Sequence, residues 1–302
     1  MFRVSDEAIP APVRTVARGI GQIFFQENAV TGGLFTLGIL VNSPLMAVGA
    51  VAGSAIGAIT AGAAKFDAVE VSAGIYGFNS SLVGIATLFF FRPGVGSLGL
   101  LVVGCVVAAF LTRLMRRFVP FPTYTMPFIV TTWAVFFLGI ALGVARVEPA
   151  AVVAGTPAPV VVPSIEAVFH GIGQVKFQGS IWAGILFLVG IALSDWRHAA
   201  WVLAASIIAT SMAFLLHSPR EDIALGLYGY NATLAAVALY LWKRSLIPPL
   251  LGILLTIPLT EYFPLSGLPT LTTPFVLATW MVLVFGWLES KYVAPQEPSI
   301  AT

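Results

Sequence analysis

Charge is what this sequence has least of. Only 9% of its 302 residues are Asp, Glu, Lys or Arg, against about a quarter in soluble globular domains. Cysteine is nearly absent: the lone Cys105 excludes an intrachain disulfide and leaves the redox compartment unread. Histidine is rare, and His170, His198 and His217 stand at no metal-ligand spacing from Cys or carboxylates. No basic tract is present and the net charge is only +2, so nucleic acid is not an expected partner. Nucleophile and base are nowhere paired, so no enzyme activity and no cofactor are expected. The first residues carry Asp6 and Glu7 and are broken by Pro10 and Pro12, without the basic and apolar regions of a cleaved leader.

What fills the space is apolar. The chain is 58% hydrophobic with a mean hydropathy of +0.96, the composition of an all-α integral membrane protein. Apolar segments that cross or nearly cross a ~30 Å hydrocarbon core fall at 28–41, 44–64, 78–91, 97–115 and 127–146, then at 180–194, 199–216, 230–243, 246–263 and 273–289. Several are short for a full span.

The two sets of five are copies. Gly74-Ile75-Tyr76-Gly77-Phe78-Asn79 returns as Gly226-Leu227-Tyr228-Gly229-Tyr230-Asn231, 152 residues later. Gly19-Ile20-Gly21-Gln22 and Phe25-Gln26 return at the same offset as Gly171-Ile172-Gly173-Gln174 and Phe177-Gln178. The segment 122–128 returns as 269–275, an offset of 147, and Trp133 and Trp280 keep that register. Repetition on this scale fixes architecture. It divides the chain into a first repeat at 1–147, a Pro- and Val-rich linker at 148–164 and a second repeat at 165–302. The Gly-rich phrases precede the first and third apolar segments of each set, where a re-entrant or half-length helix fits.

An odd number of crossings per copy inverts the second copy relative to the first, and inverted repeats place a substrate path at their interface. With the N-terminus cytoplasmic, eleven basic residues fall inside, and Arg92, Arg146 and Arg220 fall outside. The positive-inside bias therefore puts both termini in the cytoplasm. Gly49, Gly53 and Gly57, matched by Ala205 and Ala209, form a small-residue helix face. Packing within the chain is the favoured use of that face, with a subunit interface as the alternative.

Candidate functional residues follow the repeat. Gln22 and Gln174 carry amide donors and acceptors that are costly in a membrane interior without partners. Each either caps a neighbouring helix or meets a solute, and their pairing favours the second. Phe25 and Phe177, three residues on, are expected one helical turn further along the same face, so that polar tips sit over flat rings. Thr125 and Thr272 lie between prolines, which free backbone carbonyls. Lys176 is expected to rotate away from Gln174 and snorkel to the headgroups. Glu70 with Asp222, and Lys65 with His217, read as helix-terminus or loop residues. Gly94-Val95-Gly96-Ser97-Leu98-Gly99 follows no strand, so it is no dinucleotide site. The sequons at Asn79 and Asn231 enter the membrane.

Taken together, the two Gly-x-Tyr-Gly-aromatic-Asn phrases and the Leu-Pro-x-x-Thr-x-Pro-Phe signature at 268–275, looser at 121–128, resemble the urea transporter family over residues 18–290. The resemblance implies a homotrimer in a bacterial inner (plasma) membrane, each protomer passing urea or close analogues passively through its own slot. It implies amides at Gln22 and Gln174, walls of Phe25, Phe78 and Leu82 against Tyr230, Leu234 and either Val175 or Phe177, and a constriction at Thr125 and Thr272. Position 230 departs from its mate by a hydroxyl, and Gln178-Gly179-Ser180 lacks the Asn of Gln26-Glu27-Asn28. A channel for other small amides or ammonia, and an ion-coupled urea transporter, remain as alternatives.

Overall fold

A computed structural model describes residues 4–148 and 164–292. The expected linker lies outside the described residues except at its ends. The first copy runs α1 (Ala11–Gly21), a 3-10 turn (Gln22–Phe24), α2 (Ala29–Asn42), α3 (Pro44–Ala63), α4 (Ala68–Ser72), α5 (Gly77–Phe90), α6 (Val95–Phe118) and α7 (Met126–Ala141). The second repeats that order as α8 (Ile165–Gln174), α9 (Ile181–Ser194), α10 (Trp196–Leu215), α11 (Arg220–Ala224), α12 (Gly229–Trp242), α13 (Ile247–Tyr262) and α14 (Thr273–Tyr292). All ten expected apolar segments are helices. The Gly-rich phrases mark the short helices α1, α4, α8 and α11.

Among the described residues, five helices are long and apolar enough to cross a membrane, namely α3, α6, α10, α13 with its 3-10 extension, and α14. The α1–α2 pair passes the same test as one span bent by 75°. The helices α5 and α12 are 14 residues each, about 21 Å at 1.5 Å per residue. They do not need more length. From Asn79 to Leu88 and from Gly229 to Leu239 every residue is buried, so these helices run through protein and are enclosed on all sides.

Small residues make that enclosure possible. A Cβ on Gly49 would meet the Gly84 carbonyl at 2.7 Å, and one on Gly53 or Gly57 would enter the Ser80 or Tyr76 carbonyl. In the other copy, buried Ala205 and Ala209 pack with Ala232 and Ala236. The small-residue face is therefore an intramolecular seam, in which backbones approach closely and dispersion contacts replace a hydrophobic driving force.

The repeated phrases meet each other. Gly74 and Gly226 hold φ of +83° and +77°, a region glycine adopts freely, and their missing side chains admit the backbone of Gly19 and Gly171. Asn79 and Asn231, both fully buried, accept from the backbone N–H of Phe128 (3.2 Å) and Phe275 (3.1 Å). Those are donors in the first turns of α7 and α14 that no intrahelical carbonyl serves. Each motif asparagine thus caps a neighbouring helix.

The copies are related by a two-fold axis, recognisable because repeat mates touch. Phe35 lies 5.2 Å from its mate Phe187, and Thr125 Oγ1 lies 2.7 Å from Thr272 Oγ1. Contacts are also exchanged across the axis. Trp133 Nε1 donates to Pro269 O (2.8 Å), and Trp280 Nε1 to Pro122 O (2.9 Å). Reciprocal contacts of this kind are the signature of an isologous interface.

Gly53→Val drives a branched side chain into the Ser80 carbonyl and is expected to abolish the folded, monodisperse protein. A Cβ on Gly62 in α3 would meet nothing within 4 Å, so Gly62→Ala is expected to raise the apparent Tm by relieving glycine's helix penalty of about 1 kcal/mol. Fluorescence-detected size exclusion after heating reads both.

Candidate functional site

The amphipathic helix α1 ends at Gly21 and α8 at Gln174, so both glutamines stand where a half-length helix stops inside the fold. Gln22 Nε2 donates to Ala73 O, and Gln174 Nε2 to Leu225 O, each at 3.0 Å. Those carbonyls terminate α4 and α11. The capping use of each glutamine is therefore real, and it fixes the amide. Only the NH2 end can bond a carbonyl, which leaves Oε1 as an acceptor with no partner among the described residues.

Arg18 and His170 escaped the sequence reading. They are repeat mates one turn before the glutamines. Arg18 Nη1 reaches Ser72 O (3.4 Å), and His170 Nδ1 pairs with Ala224 O (2.9 Å). Each sits beside the carbonyl taken by its glutamine. Arg18 is further held by Asp6, with two bonds of 2.8 Å. That guanidinium, with the Ala29 N–H, draws the Asp6 carboxyl down to about 2. The offset alone could have flagged this pair.

Phe25 and Phe177 are not a helical turn further along the same face. Both adopt left-handed backbone, φ +62° and +59°, because the chain leaves each short helix at the glutamine. The turn swings the rings across the axis: Phe25 meets Phe275 at 6.2 Å and Phe177 meets Phe128 at 6.5 Å. Lys65 with His217 and Tyr124 with Leu271 complete the non-glycine residues of positive φ among the described residues. All six form mate pairs, so the strain is a repeated feature of the architecture.

Lys176 is the largest departure from expectation. It is fully buried, and its ammonium nitrogen lies 4.3, 3.7 and 4.1 Å from the ring centres of Phe24, Phe35 and Phe187. Snorkelling to the headgroups requires a continuing helix, but α8 ends two residues earlier. Turned inward, Lys176 meets Phe24, its own mate, at the two-fold axis.

A cavity of about 170 Å³ opens on the second-copy side, several times the ~30 Å³ share of one water. Gln174, Val175, Phe177, Tyr230 and Thr272 line it, all expected, together with Phe89, Phe128, Leu227 and Leu271. Val175 and Phe177, the two alternatives expected at the wall, both line this cavity. Leu82 and Leu234 are fully buried in the central core, with Phe25 and Phe78 packed against its edge. Thr125 and Thr272 lie nearly buried and bond to each other, rather than to their own helices. Lys176 does not line this cavity. The arrangement offers amide, hydroxyl and carbonyl oxygens between aromatic faces, and among the described residues no group of His, Cys, Asp and Glu could hold a metal ion.

The two copies are also braced by glutamines outside the cavity. Gln26 Nε2 lies 3.1 Å from His198 Nδ1, and its mate Gln178 accepts from Asn42 Nδ2 at 2.8 Å. Each reaches from one copy into the other.

An unpartnered, desolvated amine costs several kcal/mol, whereas cation–π attraction returns about 2. Phe24 at the mate position establishes that an apolar side chain fits there. Lys176→Met is therefore expected to raise the apparent Tm of the purified protein, and a fall would mean that the ring cage outweighs desolvation.

The chain resembles known proteins along most of its length. The chain is 27% identical to Urea transporter 1 of Ovis aries over 294 residues, covering 89% of this chain and 76% of that protein. It is 26% identical to Urea transporter 1 of Capra hircus and 25% identical to that of Mus musculus, at the same coverage. A family profile described as Urea transporter matches residues 13–286, and the chain belongs to that family.

Proposed function

We propose that this protein is a channel for passive, selective permeation of urea, through a narrow path between its two copies. The observation that carries the reading is the cavity that Gln174 and Thr272 both line, with Thr272 bonded to Thr125 of the other copy. In this reading Gln22 and Gln174, whose NH2 ends are committed, stand outermost in a row of uncharged groups, with the Thr125–Thr272 hydroxyl pair at its centre. The pore assignment extends to Phe25, Phe78, Leu82, Val175, Phe177, Tyr230 and Leu234 as walls.

The physical chemistry of the solute matches. Urea is flat, neutral and rich in N–H donors. Stripping an amide of water without replacement costs roughly 2–7 kcal/mol, enough to stop permeation through a purely apolar slot. Acceptors that replace those bonds at a net ~1 kcal/mol each lower the barrier without creating a trap. The glutamine Oε1 atoms are such acceptors, and the hydroxyl pair can exchange its mutual bond for bonds to the solute. Aromatic walls leave a flat opening. No carboxylate or paired cation stands in this row, so nothing in it compensates an ion's lost hydration.

The reading includes a homotrimer in a bacterial plasma membrane, with repeats at 1–147 and 165–302 crossing five times each in opposite senses. The excess of basic residues on one side of that topology supports cytoplasmic termini. Family membership and the names of the relatives support urea as the solute.

Reconstituted into liposomes, the protein is expected to speed urea efflux well above that of empty vesicles, with no uphill accumulation under a pH or sodium gradient. Gln174→Ala and Thr272→Ala each remove an oxygen from the row and are expected to lower urea flux about fivefold, the equivalent of roughly 1 kcal/mol. Wild-type flux in both variants would place the path elsewhere, and gradient-driven accumulation would favour an ion-coupled transporter.

A further inference from the structure

We infer that the Tyr230 hydroxyl is an additional acceptor for the permeating amide, confined to one side of the path, and that it raises this protein's affinity for solutes bearing free N–H groups. The inference rests on the reading of the path given above. Tyr230 stands where the first copy has Phe78. Its hydroxyl donates to Leu271 O at 2.7 Å, so its single hydrogen is committed; of its two acceptor sites one faces the Asn231 side chain and one is left. Tyr230 and Leu271 line the same cavity as Gln174 and Thr272. A hydroxyl already donating is polarised into a better acceptor. With Tyr230 on the cavity wall, the remaining acceptor site of its oxygen can receive an N–H.

The first copy shows what happens without it. Tyr124 O, mate of Leu271 O, receives Asn79 Nδ2 at 3.4 Å, while Asn79 Nδ2 also bonds Thr112 Oγ1 at 3.1 Å. Asn231 Nδ2 has Thr260 Oγ1 at 3.4 Å and no bond to Leu271 O. The tyrosine has taken over the asparagine's duty toward that carbonyl. Removing the hydroxyl thus does not uncover a substitute acceptor, because Asn231 can turn to Leu271 O as Asn79 does to Tyr124 O. The net change in Tyr230→Phe is the loss of one oxygen from the row. Phe78 establishes that phenylalanine fits a site of this geometry, so the fold is expected to survive.

Stopped-flow urea flux into proteoliposomes, measured across a range of urea concentrations, tests the assignment. Tyr230→Phe is expected to raise the half-saturating urea concentration about fivefold, leaving water permeability unchanged. Phe78→Tyr adds a hydroxyl that can reach Tyr124 O and is expected to lower that concentration. The exchanged double variant is expected to return close to wild type. A purely structural role for the tyrosine would shift the Tm of Tyr230→Phe and give no gain in Phe78→Tyr. A conducting wild type with half-saturation unchanged in both single variants overturns the inference alone. A wild type no faster than empty vesicles overturns the path and this acceptor together.

Discussion

A chain that folds against its own copy must be self-complementary where the two-fold axis passes, and everything else in this protein follows from that. Residues on the axis meet their own mates, so only groups able to pair with themselves are stable there. Two threonine hydroxyls satisfy the condition, since each can donate or accept. Two phenylalanine rings satisfy it by edge-to-face packing. Two amines or two carboxylates would repel. At the Phe24/Lys176 position the copies have diverged, and the amine lies on the ring of its mate with further rings to either side. Self-complementarity is thus also a reason for the axis to be free of paired charge.

The two layers around the axis serve different ends. The outer layer is backbone against backbone, through Gly49, Gly53 and Gly57 and through the glycines of the repeated phrases. It encloses α5 and α12 so tightly that 14-residue helices suffice. The inner layer is made by chain reversals at the ends of α1, α4, α8 and α11, where end carbonyls hold the Gln22 and Gln174 amides and left-handed turns bring the Phe25 and Phe177 rings against the other copy. Short helices ending in mid-protein are where non-helical backbone can survive at membrane depth.

Much of this was legible in the sequence because duplication supplies its own control. Helix positions followed from apolar runs, the glutamines and threonines from what the copies share, and the walls from the resemblance to the family. Of the five expected residues on the 170 Å³ cavity, Gln174, Phe177 and Thr272 came from the comparison of the copies, and Val175 and Tyr230 from the family resemblance. What was missed has a common cause. A helical wheel holds only as far as Gln22 and Gln174, where the short helices stop, so Phe25, Phe177 and Lys176 point elsewhere than a wheel allows. The pairing of motif asparagines with α7 and α14 was also hidden, because a cap supplied by another helix leaves no local pattern. Positive φ at phenylalanine, lysine and tyrosine contradicts residue preference, and only the paired occurrence marks it as built in.

The central claim is that solute crosses the axis at the threonine pair. Placing a single thiol there, as Thr272→Cys with the buried Cys105 replaced by alanine, tests it most directly. After reaction with a small methanethiosulfonate reagent, confirmed by mass spectrometry, urea flux through reconstituted vesicles should fall close to that of empty vesicles. Saturating urea should slow the reaction. Complete labelling with undiminished urea flux would contradict the account.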